Sequence, residues 1–210
     1  MNVLAKLFSS EPLIKIMRLF LMNPDAGFEN KDVSSHSRLK PIASKREVLL
    51  LSSIGFIQKK PFYKDVKSGK VIKKKKVVGW FLNKNFIYLT PLYDLLVTSK
   101  SVDKKDLISR IKKTGKVKML VVAGAFLKDD QSRLDILVVG DSISQKKFEN
   151  VVRSLESEIG KELRYSAFTT NEFKYRISMY DKLVCDVFDF KHEVVFVTPE
   201  LSTAGLEKRK

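Results

Sequence analysis

The side chains whose types and spacing could do the most chemistry are cations. Between Phe56 and Leu82 stand Lys59, Lys60, Lys64, Lys67, Lys70 and the run Lys73, Lys74, Lys75 and Lys76, against a single acid, Asp65. Just upstream, Lys40, Ser44, Lys45 and Arg46 lie close together. Cations at this density neutralise phosphates and release their condensed counterions. An Arg can read guanine through two parallel hydrogen bonds, whereas Lys acts more often as a point charge. A lysine run also occurs as a solvated face, or as a guard against edge-to-edge strand pairing. Catalytic constellations are scarce by comparison. The one cysteine, Cys185, sits in the stretch LVCDV and reads as a small packed hydrophobe rather than a nucleophile. One Cys excludes a disulfide within the chain, and with only His36 and His192 beside it no zinc-finger ligand set is complete. There is no P-loop, no GxSxG elbow and no paired-histidine metal motif. No cofactor and no metal site is implied.

The whole chain of 210 residues carries 40 Lys and Arg against 24 Asp and Glu, a net charge of +16. With 44% apolar residues, nine Gly and six Pro, it is neither a wholly disordered nor a collagen-like chain. The charge is uneven. Residues 1–100 hold 19 Lys and Arg against 7 Asp and Glu, and residues 101–210 hold 21 against 17. A first half this basic points to a polyanion, either nucleic acid or an anionic membrane surface. The uncharged stretches, such as Val48 to Gln58, fall far short of the ~20 residues of a spanning helix. The opening MNVLAKLFSSEPLIKIMRLF is broken by Lys6, Glu11, Lys15 and Arg18, unlike a secretory apolar core. The expectation is a soluble cytoplasmic protein with no membrane partner.

The elements that must position the cations follow from pattern. Ser10 can cap a helix with Glu11 and Pro12 in its first turn, and Leu13, Ile16, Met17 and Phe20 form one face. A short extended link over Gly27 to Glu29 leads to a weak helix, Lys31 to Ser37, with Val33 inward and His36 at its end. Pro41 opens a third helix reaching about Ile54, with Ile42, Val48, Leu49, Leu51 and Ile54 available to the core and Ser44, Lys45 and Arg46 on its polar side. Gly55 ends it. Phe56 to Asp65 and Val71 to Leu82 flank the turn sequence Lys67-Ser68-Gly69-Lys70 and read as a basic hairpin. Trp80, Phe81, Phe86 and Tyr88 are expected in the core beneath it. Three helices and a basic hairpin make a winged helix-turn-helix, whose third helix enters the major groove while the hairpin follows the backbone or minor groove.

In the second half, Lys104 to Lys113 reads as a helix and Val117 to Val122 as a strand. A polar loop, Leu127 to Ser132, joins that strand to another, Leu134 to Val139. Ser144 can cap a helix with Phe148, Val151, Val152, Leu155 and Ile159 on one face. Leu163 to Phe168 is a third strand, and Thr169 to Glu172 is a capping box opening a further helix. The apolar runs Val184 to Phe188 and Val194 to Val197 finish the domain. This order predicts a small mixed sheet with helices on one face, followed by a frayed tail from Pro199.

The segment VVAGAFLKDDQSRLDILVVGD, Val121 to Asp141, carries a resemblance. With the downstream helices it resembles bacterial proteins that join a winged helix to a minimal nucleotidyltransferase domain. In active relatives a Gly-Ser pair ending the first strand holds the triphosphate, and an Asp-x-Asp pair on the second holds magnesium. Here Gly124 matches, the serine position is Ala125, the first Asp is Arg133, and Asp135 matches the second. The loop is shorter than usual, and the third strand, Leu163 to Ala167, holds no acid; Glu162 only precedes it. Two-metal transfer needs carboxylates bridging ions roughly 4 Å apart. An Arg there places a cation beside the ion, and at that spacing even two unit charges repel by about 4 kcal/mol at an effective dielectric of about 20. Asp135 therefore reads as a surface or turn-capping residue, with Asp129 and Asp130 on the polar loop the only nearby substitutes.

The expected class is α+β: a winged helix-turn-helix over 1–97, a linker over 98–103, a degenerate nucleotidyltransferase-like mixed αβ domain over 104–198 and a tail over 199–210. The expected function is a DNA-binding transcriptional regulator, a pseudoenzyme whose second domain serves pairing into a homodimer or contact with a partner or effector. Double-stranded DNA is the expected partner, and the degenerate pocket is not expected to bind a nucleotide. The alternative is an active nucleotidyltransferase acting on a small molecule or protein, targeted by its winged helix.

Overall fold

In the computed structural model, Ser10 caps the first long helix through its hydroxyl, which accepts the Leu13 N–H at 3.1 Å. The structure describes residues 3–68, 71–98, 103–127, 129 and 131–202. Lys70, Asp130, most of the linker and the tail beyond residue 202 lie outside the described residues, and of Lys67 only the backbone is described. The chain is mixed α and β, with ten α-helical segments and two sheets among the described residues. It divides into two compact units, residues 1–100 with 154–161, and residues 101–153 with 162–210.

In the first unit, α1 (Val3–Leu7) precedes α2 (Glu11–Met22), whose Ile14, Ile16, Met17, Leu19, Phe20 and Leu21 are buried. Phe28 then forms an isolated antiparallel bridge to Trp80. Next, α3 (Asn30–His36) starts with a reciprocal box between Glu29 and Asp32 and buries Val33. Helix α4 (Pro41–Ser53) has Pro at its first position and stops before Gly55, whose φ of +78° suits a residue without Cβ. A long antiparallel hairpin follows, β1 (Ile57–Ser68) with β2 (Val71–Leu82), in register from Ile57 opposite Leu82 to Ser68 opposite Val71. Helix α5 (Leu89–Tyr93) and a π-helical turn, Asp94–Thr98, bring Leu96 into the core.

Two sequence expectations for this unit change. Only Val48 and Leu51 of the proposed α4 core residues are buried; Ile42, Leu49 and Ile54 are 87%, 55% and 52% exposed. At roughly 100° per residue, Ile42 and Leu49 fall about 20° apart and opposite the pair Val48 and Leu51, so the five cannot share a face. Tyr88 is 60% exposed rather than core. Trp80 is buried, Phe81 stacks edge-on against Phe62, and Phe86 edge-on against Phe56.

Arg18 is enclosed within the apolar core of this unit, only 2% exposed. Its Nε donates to the Leu96 carbonyl at 2.8 Å and its Nη1 to the Glu158 carbonyl at 3.2 Å. Asn23 donates to the Gly160 carbonyl at 2.7 Å. Gly160, at φ +88°, lies against the backbone of Arg18 and Leu19, where a Cβ has no room. Cationic donors at the end of a helix satisfy carbonyls the helix itself leaves open.

In the second unit, α6 (Lys104–Lys112), capped by Asp103, leads to β3 (Lys116–Ala123). A 3-10 turn, Gly124–Phe126, and a loop reach β4 (Ile136–Asp141). Then come α7 (Gln145–Ile159), whose residues from 154 on belong to the first unit, β5 (Tyr165–Phe168), α8 (Thr170–Ser178), α9 (Lys182–Asp189), β6 (His192–Val197) and α10 (Pro199–Ser202). The sheet runs β5-β4-β3-β6, with β4 and β5 parallel and the other pairs antiparallel.

The expectation of helices on one face is corrected. Met119, Val121, Leu137 and Val139 pack with Phe173 of α8, Val184 and Val187 of α9, and Leu201 of α10. Their alternates Leu120, Val122, Ile136 and Val138 are buried too, and α6 packs on β3 and β6. Strands covered on both faces read as unbroken apolar runs, as MLVVA and ILVV do here. The run Val184 to Phe188 lies within a helix, capped by Asp181, which accepts the Val184 N–H at 3.2 Å. The expected fraying from Pro199 is replaced, up to Ser202, by α10 with Leu201 fully buried.

Candidate nucleic-acid interface

Helix α4 offers one outward face. Lys40 at its N-cap, Lys45 and Arg46 are exposed, and its first turn has no acid. Ser44 is corrected: it is 1% exposed, with its Oγ unbonded in the core, so it cannot reach a ligand. It occupies an inward position of the Ser44, Val48, Leu51 stripe that pattern reading expects to be apolar. The nearby Glu47 is engaged elsewhere, accepting from the Ser10 hydroxyl at 3.1 Å. Between α3 and α4 lies an open groove of about 480 Å³, lined by Asn30, Lys31, Ser34, Ser35, Leu39, Pro41 and Lys45.

The hairpin register sorts its cations. Residues opposite one another share a face, so Lys59, Lys74 and Lys76 lie with Tyr63 and Asp65, while Lys60, Lys64, Lys73 and Lys75 lie on the other face. The four-lysine run is therefore two pairs pointing opposite ways. Asp65 stands across from Lys74, but Lys64 faces Lys75, a like-charge pairing that destabilises a sheet. Lys64 is relieved by α3: its Nζ reaches Asp32 at 2.5 Å and Glu29 at 3.3 Å. Burial lowers its pKa, and these two carboxylates more than offset that, so it stands raised. Lys64 is thus a brace between hairpin and helix rather than a free phosphate contact. Trp80 donates its indole N–H to Asn30 Oδ1 at 2.8 Å, with Lys59 over its ring at 5.8 Å. Lys40, Lys45, Arg46, Lys60 and Lys73 to Lys76 are exposed and form no ion pair among the described residues.

In the second unit three of the four motif positions, Gly124, Ala125 and Asp135, come together as a closed cluster, while Arg133 turns away to α9. Asp135 is 1% exposed, which corrects its reading as a surface residue. Its Oδ1 accepts the Ala125 N–H at 2.7 Å and its Oδ2 the Arg164 N–H at 2.7 Å. The Arg164 guanidinium adds bonds at 3.3 and 3.4 Å. Gly124, at φ +48°, lets the carboxylate approach so closely that a Cβ there would collide with Asp135 Oδ1. Arg133 pairs with Asp186 of α9 at 2.6 Å. A divalent metal does not fit this set: the carboxylate's oxygens already hold two N–H groups and a cation, and no cluster of three His, Cys, Asp or Glu side chains occurs among the described residues. Asp129 accepts the Gln131 N–H at 3.0 Å in a local turn. Cys185 is a free, half-buried thiol. Sequence reading misses Arg164 and Asp186; the available signal is that a buried Asp demands a cationic or N–H partner, and Arg164 immediately precedes the adjacent strand.

Asp141, at the end of β4, anchors a second polar network. It accepts from Lys118 Nζ at 3.0 Å and from the Thr170 N–H and hydroxyl at 3.1 and 2.9 Å. The Lys118 hydrogen bond and the two from Thr170 pull its pKa down to about 2. Lys118 also pairs with Glu200 of α10 at 2.8 Å, which lowers Glu200 and raises Lys118.

No helix among the described residues is long and apolar enough to cross a membrane. No family model, curated protein or solved structure matches the chain.

Proposed function

We propose that this chain is a DNA-binding transcriptional regulator working in the cytoplasm, with a winged helix-turn-helix as its first unit. The observation that carries the reading is the set of exposed cations on α4 and the hairpin that form no ion pair among the described residues. The element order supports it: α2, the Phe28 bridge, α3, α4, then a two-stranded wing joined to Phe28 through Trp80. In this reading α4 enters the major groove with Lys45 and Arg46 toward base edges, while Lys40 and those of the unpaired lysines on one face of the hairpin hold phosphates.

The second unit is a degenerate nucleotidyltransferase-like fold without catalysis, which serves pairing of two copies or contact with a partner or effector. Its support is the engagement of Asp135 by Ala125 and Arg164 and of Arg133 by Asp186. The charges that a nucleotide and its ions would need are spent on internal pairs. Selection of bound fragments from sheared genomic DNA tests the regulator reading. Enrichment of a discrete sequence supports it; recovery of fragments in proportion to their abundance contradicts it.

A further inference from the structure

We propose that Ile42 reads the C5-methyl group of a thymine in the major groove, so that the target of the first unit carries an A·T pair at a fixed place beside Lys45 and Arg46. This rests on the DNA-binding reading and adds to it one residue and one base feature. Ile42 is 87% exposed, the most exposed of the large apolar side chains among the described residues. It is the second residue of α4, directly after Pro41. Water exposure gives an isoleucine no burial energy, and its branched Cβ is a poor choice for a helix. Folding therefore does not account for it.

Its surroundings indicate what covers it. Around the helix axis Lys45 and Arg46 fall about 40–60° to either side of Ile42, while the buried Ser44, Val48 and Leu51 lie opposite. Glu47, the only acid in α4, is bonded to Ser10. The face is thus an apolar pair, Ile42 near the helix start and the less exposed Leu49 two turns on, flanked by cations that form no ion pair among the described residues. The B-DNA major groove has the complementary order, with phosphates on the rims and, on the floor, the thymine methyl as its apolar feature. An acidic protein groove would match the cations as well, and it is the outcome that the test separates.

The experiment uses the full chain and a duplex recovered by selection. Each thymine in turn is replaced by deoxyuridine, which removes the methyl and leaves every hydrogen-bonding edge in place. One such replacement should weaken wild-type binding about 3–10-fold, the scale of one buried methyl. Ile42→Ala should weaken binding to the thymine duplex by a similar factor and be indifferent to deoxyuridine at that position. Ile42→Leu should retain most of the affinity. If wild type tolerates deoxyuridine everywhere while salt-dependent binding persists, the DNA reading stands and the thymine contact is wrong. Equal sensitivity of Ile42→Ala and wild type to deoxyuridine overturns it too. If no duplex is bound in a salt-dependent way, the DNA reading fails first and takes this inference with it.

Discussion

At Asp135 a single carboxylate accepts two backbone N–H groups and a guanidinium while 1% exposed. Removing it leaves the Ala125 N–H unsatisfied and Arg164 uncompensated. Asp135→Ala should therefore cost about 2–4 kcal/mol of stability, at the lower end of buried-pair losses because Arg164 is half exposed. Urea unfolding of the full chain measures it. The same variant tests catalysis. Neither it nor the wild type should transfer labelled ATP, GTP, CTP or UTP nucleotide to acceptors in a cell extract with magnesium or manganese. Transfer by the wild type that vanishes in the variant would make the second unit an enzyme. On α4, Lys45→Ala should weaken a selected duplex by about 1–3 kcal/mol if it reads a base. Equal weakening on random duplex, measured by anisotropy, would assign it to a phosphate.

Among the elements, the hairpin makes the sharpest claim. A strand alternates its side chains, so Lys73 and Lys75 cannot grip the same surface as Lys74 and Lys76. If one face of the wing meets the duplex, one double alanine variant should reduce the slope of log K against log salt by about two, and the other by far less. Equal reductions would contradict one-face contact. The hairpin, the helices and their caps were legible in the sequence because Ser10, Pro41, Gly55 and Thr169 are local signals whose chemistry acts within a few residues. Helix α4 was less legible. Its apolar residues, Ile42, Val48, Leu49, Leu51 and Ile54, surround the helix, and the inward stripe includes Ser44. Only tertiary packing selects that stripe. Similarly, nothing local to Asp135 tells a buried clasp from an exposed carboxylate; its partner Arg164 is brought up by parallel pairing of β4 with β5. The unbroken apolar runs of β3 and β4 did hold the sign of a sheet covered on both sides.

For the whole molecule, pH acts through the network that ties α8 and α10 to the sheet. Asp141 stands at about 2 against an ordinary 3.8, and Glu200 is lowered too. A depressed carboxyl contributes stability that is complete above its ordinary value and is lost as pH falls through its folded value. Lys118, being raised, contributes below its ordinary 10.5 and loses that only in stronger alkali. Thermal unfolding should therefore show a plateau at neutral pH and a decline that starts below 4.5, the ordinary value of Glu200, and runs to about 2. Asp141→Asn should lower the plateau and flatten the decline. An unchanged acid limb in that variant would remove Asp141 from the linkage.

The net charge of +16 is a whole-molecule property as well, and its concentration in residues 1–100 is what the regulator reading must explain. The measurement that bears on it most directly is duplex affinity as a function of salt, for wild type and for the variant with Lys73 to Lys76 all changed to alanine. With about five phosphates neutralised per chain, log K against log salt should fall with a slope of about −4 to −5, and the variant should be flatter by about two while remaining folded. A slope near zero in the wild type, or the same slope in both proteins, would contradict the account.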